Sequence, residues 1–337
     1  MINPAQHLNP KLFAADLEQV PSRNGYGDGL VQAGAEDPRI VALSADLTES
    51  TRTEAFKERF PERFVEVGVA EQNLVTVASG MAAVGKVPFT TSYAMFSPGR
   101  NWEQIRTTVC YNDQPVKIVG SHAGVSVGPD GATHQALEDI AITRVLPNMV
   151  VVCPTDALEA KRATLAIART AQPSYLRLSR AKVPLITTEE TPFAIGRAEV
   201  YWDGDDVAII ACGQMVYRAL LAARDLAAAG IAARVINCHT IKPLDEATLV
   251  RAAEETGAIV TVEEHQVAGG LGSAVAELVV QRSPVPMQLI GVQDRFGESG
   301  APDELLAAFG LTAEAIREAA VAVVARKRRG TRQVGAG

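Results

Sequence analysis

The chain has 337 residues, a net charge of −7, 47% apolar and 21% charged residues. That length and apolar content suffice for two globular domains with separate cores and exclude a disordered or fibrous protein. The acidic balance argues against nucleic acid as the main partner, because neutralising phosphates requires a basic surface. The one basic cluster, ARKRRGTR near the C-terminus, reads as part of a solvated, disordered tail over 327–337 rather than a binding patch.

In chain order, the first strand-like run is IVALSA (40–45), followed by VEVGVAEQNLVTVASGMAAVG (65–85). A helix opening at Ala70 would bury Val75, Ala78, Met81 and Ala82 on one face and place Glu71 in its first turn, at the positive end of the dipole. On spacing alone Glu71 is an ordinary first-turn acid. The runs VKIVGS (116–121), MVVVCP (149–154) and SYLRLS (174–179) alternate with helical patterns, as in a parallel sheet covered on both faces. The stretch AKVPLITTEETPFAI (181–195) turns polar and proline-bearing, which predicts a linker at 189–195. VAIIAC (207–212), ARVINC (233–238), AIVTVEE (258–264) and MQLIGV (287–292) then repeat the pattern. The predicted fold is α/β, two successive open, mostly parallel sheets covered by helices, with domains at 1–188 and 196–326.

Cys110, Cys153, Cys212 and Cys238 form no CxxC pair, so they read as reduced, packed thiols of a cytoplasmic protein. No apolar run is long enough to span a bilayer, and MINPAQHLNPKLF lacks the blocks of a signal peptide.

Ligands of α/β sheets gather at the carboxyl ends of the strands. The residues there are Asp46, His122, Thr155 with Asp156, and Arg180. Singly, each is as well explained as a cap or loop hydrogen bond; several on one rim with Glu71 suggest a site. Two glycine motifs mislead. GYGDGL (25–30) lies within a helical pattern with no asparagine at the spacing a metal-diphosphate motif needs, and HQVAGGLGSAV (265–275) lacks the third glycine and the acidic residue of a dinucleotide site.

The segment GSHAGVSVGPDGATHQALEDIAITRVLPNMVVVCPTD (120–156), with SADLTES (44–50), VGVAEQN (67–73), LRLSR (176–180) and EEHQVAGGLGSAVAE (263–277) in the same order, resembles the pyrimidine-binding and C-terminal domains of transketolases over nearly the whole chain. No counterpart of the family's diphosphate-binding domain is present, so the resemblance implies the C-terminal half of a split enzyme. It further implies thiamine diphosphate as cofactor, Mg2+ or Ca2+ held by an N-terminal diphosphate-binding subunit, two copies of each subunit paired through the pyrimidine domain, and transfer of a two-carbon ketol unit between sugar phosphates.

Residue by residue, Glu71 matches the glutamate that hydrogen-bonds the aminopyrimidine ring nitrogen, in a dry pocket that Val67, Val69 and Val75 are expected to supply. Tyr93 and Phe96 match the aromatic pair on the pyrimidine face, and Asp46 is a further cofactor contact. Asp130 and His134 match contacts to substrate hydroxyls, and Arg23, Ser50, His122 and Arg180 match the receivers of the distal phosphate. Glu71, His122 and His134 are the catalytic candidates. Arg100 has no assigned role, because FSPGR (96–100) is one residue longer than the related spacing. The second domain is expected to serve assembly. Within the same fold, a two-oxo-acid dehydrogenase beta subunit lacks the HAGVSVGPDGATHQ arrangement, and a deoxyxylulose-phosphate synthase has an arginine in place of His122. A non-catalytic module would have lost Glu71, Asp130 or His134.

Overall fold

The computed structural model describes residues 1–334; positions 335–337 of the expected tail lie outside the described residues. The first sheet has seven strands in the spatial order Thr240–Lys242, Val150–Val152, Ser174–Arg177, Lys117–Ser121, Val87–Tyr93, Ile40–Ser44 and Phe64–Glu66. Every neighbouring pair is parallel except the first. The second sheet runs Met287–Val292, Ile259–Gln266, Val207–Ala211, Ala233–Asn237, with Glu199–Trp202 as an antiparallel edge. The α/β class read from the sequence is therefore observed.

Val87–Tyr93 is a central strand that the apolar pattern does not announce. Pro88 and the hydroxyl residues Thr90, Thr91 and Ser92 interrupt the run, yet those hydroxyl residues are fully buried between the flanking strands. Tyr26 and Thr91 share a hydroxyl–hydroxyl hydrogen bond of 2.6 Å, which removes part of the cost of burying polar groups there.

The GDG stretch belongs to the helix Ser22–Glu36. Its glycines serve packing: a Cβ at Gly25 would lie 1.7 Å from the Ala157 carbonyl oxygen, so this helix and Ala157–Ala168 touch backbone to backbone. The GGLG turn precedes the helix Leu271–Arg282, whose first amides donate to the Glu263 carboxylate at 2.7 Å (Leu271) and 2.8 Å (Gly272). A helix N-terminus is an anion site, and here the anion is internal. Burial pushes the Glu263 carboxyl up to about 7, against the pull of those amides.

The expected division near residue 190 is crossed in three places. Thr240–Lys242 pairs with Val150–Val152 of the first sheet, and the Cys153 amide donates to the His239 carbonyl at 2.7 Å. Residues 1–17, expected in the first domain, lie against the second: the Asn3 amide donates to the Tyr201 carbonyl at 3.0 Å, and Leu12 and Leu17 join the apolar cluster of Val207, Ile209 and Leu220. A further cluster contains Leu43, Val75 and Ile118 together with Ile210, Ile236 and Val275, so one core spans both sheets. Cys153, Cys212 and Cys238 are buried in that shared core, and Cys110 is buried as well.

The tail expected from 327 instead continues the helix Ala313–Val334. Lys327 Nζ donates to the Thr256 carbonyl at 2.6 Å, at the end of the helix Glu246–Thr256, and Arg326 donates to the Met287 carbonyl at 2.9 Å. Cations that satisfy terminal carbonyls favour this ordered arrangement.

Candidate active site at the strand ends

Because the strands ending near Arg180, His122, Tyr93 and Asp46 are neighbours, these residues follow one another along one edge of the first sheet. The helix Glu71–Ala83 starts beside the outermost strand, Phe64–Glu66. Asp46 and His122 both adopt left-handed backbone conformations, φ 59° in each case, a strain typical of residues that turn the chain at a site.

Glu71 is the first residue of its helix and is 4% exposed. Its Oε2 accepts a hydrogen bond from Arg100 Nη1 at 3.3 Å, and its carbonyl accepts from Asn101 Nδ2 at 2.8 Å. Arg100 in turn lies 4.8 Å from the Phe96 ring centroid, within cation–π range. Leu74, Val75, Ala78 and Ala82 form the buried face of the helix, with Met81 only partly buried. The expected apolar pocket differs in composition. Val75 is core and Val67 is partly buried, but Val69 is 70% exposed, because the turn at Gly68, φ 71°, directs that segment outward. Asn101 and Arg100 do the enclosing.

Tyr93 is stacked against two rings, those of His122 and Phe96. It lies face to face with the His122 ring at 3.8 Å between centroids and 25°, while its centroid is 5.9 Å from that of Phe96. His134 meets Phe96 edge-on at 5.3 Å and Tyr93 at 6.2 Å. The ring cluster thus links Phe96, Tyr93, His122 and His134.

Arg23 Nη1 lies 3.2 Å from His122 Nε2 and donates to the Ser50 carbonyl at 2.6 Å. Ser50 enters this contact through its backbone, not the hydroxyl expected to meet a phosphate. Arg180 donates to the Val127 carbonyl at 3.0 Å. Burial, then the charges of Arg23, Arg180 and His134, push His122 down to about 3, so its ring is neutral at ordinary pH. Burial and the charges of Arg52 and Arg180 likewise hold Arg23 below its usual range. A pocket edge where several cations crowd one neutral imidazole suits an oxyanion.

Asp46 and Asp130 are exposed at their side chains. Asp46 is fixed through its backbone: Glu66 Oε1 accepts from the amides of Asp46 (2.7 Å) and Gly68 (2.9 Å), and Oε2 accepts from the Thr48 hydroxyl at 3.1 Å. Asp156, another strand-end residue, is instead a cap, accepting from the Glu159 amide at 2.9 Å and the Thr187 amide at 2.8 Å. Sequence reading missed Glu66, Arg52 and the pairing of Arg100 with Glu71. Only Glu66, at the end of the short run FVE, carried a signal, its position on the same rim.

The chain matches the transketolase pyrimidine-binding domain over residues 18–185 and the transketolase C-terminal domain over residues 196–316. It belongs to the transketolase family. It is 45% identical over 297 residues to a putative transketolase C-terminal section of Methanocaldococcus jannaschii, covering 87% of this chain and 93% of that protein. It is 44% identical over 315 residues to a 6-deoxy-6-sulfo-D-fructose transketolase subunit of a Clostridium species, covering 94% and 98%. A solved split-gene transketolase, described as an inactive beta4 tetramer, superimposes with a TM-score of 0.86 at 46% identity, over 91% of this chain and 99% of that one. Within the family the chain corresponds in extent to these C-terminal sections and subunits, covering 93% to 99% of their lengths, and carries the pyrimidine-binding domain.

Proposed function

We propose that this chain supplies cofactor activation and substrate grip in a two-subunit enzyme that reversibly moves a two-carbon ketol unit from a ketose phosphate to an aldose phosphate. The observation that carries this reading is the rim itself, where a carboxylate 4% exposed stands on one side of Tyr93 and Phe96 and the Arg23–His122–Arg180 cluster stands on the other. The buried Glu71 and the flanking rings fit an aminopyrimidine, which needs a carboxyl partner on one ring nitrogen and an apolar or aromatic face. Thiamine diphosphate, when bound, supplies the carbanion chemistry that cleaves and forms the carbon–carbon bond.

The residues of this chain have separable tasks. Glu71 would hold a proton at the pyrimidine nitrogen of a bound cofactor, with Arg100 beside that carboxyl. Asp46 borders the cofactor. Asp130 and His134 orient the hydroxyls nearest the reacting carbon, and His134 relays a proton there. His122, neutral in the free chain, hydrogen-bonds the substrate beside Tyr93. Arg23 and Arg180 take the distal phosphate through paired, charge-assisted hydrogen bonds, with the Ser50 segment as their backrest.

Mg2+ or Ca2+ with the diphosphate falls to the N-terminal subunit, since such a metal wants carboxylates beside phosphate oxygens. The active particle then holds two copies of each chain, paired about a two-fold axis through the helix Glu71–Ala83, in the cytoplasm. Titration of the purified chain with cofactor and magnesium by calorimetry, and a coupled ketol-transfer assay with and without the partner, test the reading. Full turnover by the isolated chain overturns it.

A further inference from the structure

The loop 124–135 carries Asp130 and His134 but has little regular structure of its own, one short 3-10 turn at Val125–Val127 followed by the tight turns Gly131 N–H to Gly128 carbonyl (3.1 Å) and His134 N–H to Gly131 carbonyl (3.0 Å). Its two feet are tied to each other, the Gly124 amide donating to the Ala136 carbonyl at 2.9 Å, and both are held against the other sheet's domain. At the first foot, the Ser126 amide donates to Glu264 Oε1 at 2.7 Å. Gln214 Nε2 donates both to the Ser126 hydroxyl at 2.8 Å and to Glu264 Oε2. Gly124 is pressed against the same carboxylate, since a Cβ there would lie 2.3 Å from it. Glu264 is itself fixed, its carbonyl accepting from Arg177 at 2.8 Å while Arg177 pairs with Asp139 at 2.8 Å.

At the second foot, Gln135, 2% exposed, donates from Nε2 to the Val125 carbonyl and to the Glu298 carbonyl, both at 2.9 Å. The Gln135 side-chain oxygen abuts Gly297, where a Cβ would lie 1.6 Å away, and a Cβ at Gly131 would lie 2.6 Å from Ser299 Oγ. Gly297, Glu298 and Ser299 belong to the segment between the last strand, Met287–Val292, and the helix Pro302–Ala308. One carboxylate and one carbonyl of the second domain therefore fix both ends of a loop that would otherwise sample many shapes, because a loop without regular hydrogen bonds is ordered only by such anchors.

We propose that the second domain sets the working geometry of this loop, with Glu264 and Gln135 as positioning residues that act on the substrate through Asp130 and His134; the proposal rests on reading those two as substrate contacts. The consequence is a split between two steps. Activation of the cofactor depends on Glu71, on another element, and is indifferent to the loop. Productive binding of the sugar depends on it.

The test uses the reconstituted two-subunit enzyme. Gln135→Leu and Gly297→Ala are expected to lower kcat/KM for the ketose phosphate at least tenfold while the thiazolium-proton exchange rate of the bound cofactor stays within twofold of wild type. Glu264→Leu removes the acceptor of both the Ser126 amide and Gln214 and is expected to give the same split. Gly297→Ala lies in a surface segment, so it reports even where a core variant melts early, as thermal unfolding will show. The proposal is overturned by a kcat/KM within twofold of wild type in Gln135→Leu and Gly297→Ala, or by exchange and kcat/KM falling together. An exchange rate unchanged in Glu71→Ala would instead strike the cofactor reading and leave the loop result separately legible.

Discussion

Glu71 and Arg100 form an ion pair of 3.3 Å between unequal partners, the carboxylate 4% exposed and the guanidinium 57% exposed. Water screens the arginine side, so the pair contributes about 0–1 kcal/mol to folding. Glu71→Ala should therefore change the unfolding free energy by less than about 1 kcal/mol yet slow thiazolium-proton exchange by about 10²–10⁴-fold. Denaturant unfolding and exchange followed by NMR check both halves. Exchange at the wild-type rate would remove Glu71 from the mechanism.

Among the described residues Arg180 has one hydrogen bond to the protein, to the Val127 carbonyl, so donors remain for a ligand. Arg180→Ala is expected to remove a charge-assisted contact of about 1.5–3 kcal/mol, roughly a 10- to 150-fold rise in KM for phosphorylated substrates. Unphosphorylated analogues should change little. Equal penalties on both sets would sink the phosphate assignment.

His122 provides a pH signature. Its ring titrates near 6.5 when unfolded and is pushed down to about 3 in the fold by burial and by Arg23, Arg180 and His134. The unfolded chain thus binds the extra proton between about pH 6.5 and pH 3, and the stability tied to the neutral ring is full above pH 6.5 and lost progressively as pH falls through that window. Between pH 7 and pH 4.5 the wild type should lose more stability than His122→Asn, measured as the change in denaturant midpoint. An identical loss in both proteins contradicts a neutral, buried His122. A resonance assigned to the His122 ring that titrates near pH 6.5 in the free chain does the same.

The outward face of the helix Glu71–Ala83 presents Thr76 and Gly80, with Val84 just beyond at 79% exposure. A Cβ at Gly80 would meet nothing within 4 Å, so Gly80→Glu leaves the single chain unstrained and adds a charge where a second copy is expected. Sedimentation should show the variant shifted toward monomer with an unchanged far-ultraviolet circular dichroism spectrum. A wild-type oligomer in the variant would move the two-fold contact elsewhere.

The isolated chain should bind thiamine diphosphate weakly and show no turnover, with activity appearing on addition of magnesium and the diphosphate-binding subunit. Omitting magnesium, or chelating it, should abolish the reconstituted activity. Turnover that survives chelation would contradict a metal-bridged diphosphate in the partner.

The fold class and the positions of the rim residues are legible in the linear text because their causes are local. β-branched runs specify parallel strands, and a parallel sheet collects whatever follows its strands, which brings His122 beside Tyr93. What the text leaves open is everything set by the packing of one sheet on the other. Val69 turns outward where an apolar pocket was expected, Leu12 and Leu17 bury themselves in the second domain, and Glu264 grips Ser126 from 138 positions away. Gln135 and the Glu298 carbonyl are 163 positions apart. Local periodicity carries no record of such pairs, because a single carboxylate or amide finds its partner only after both sheets have buried their faces in a common core.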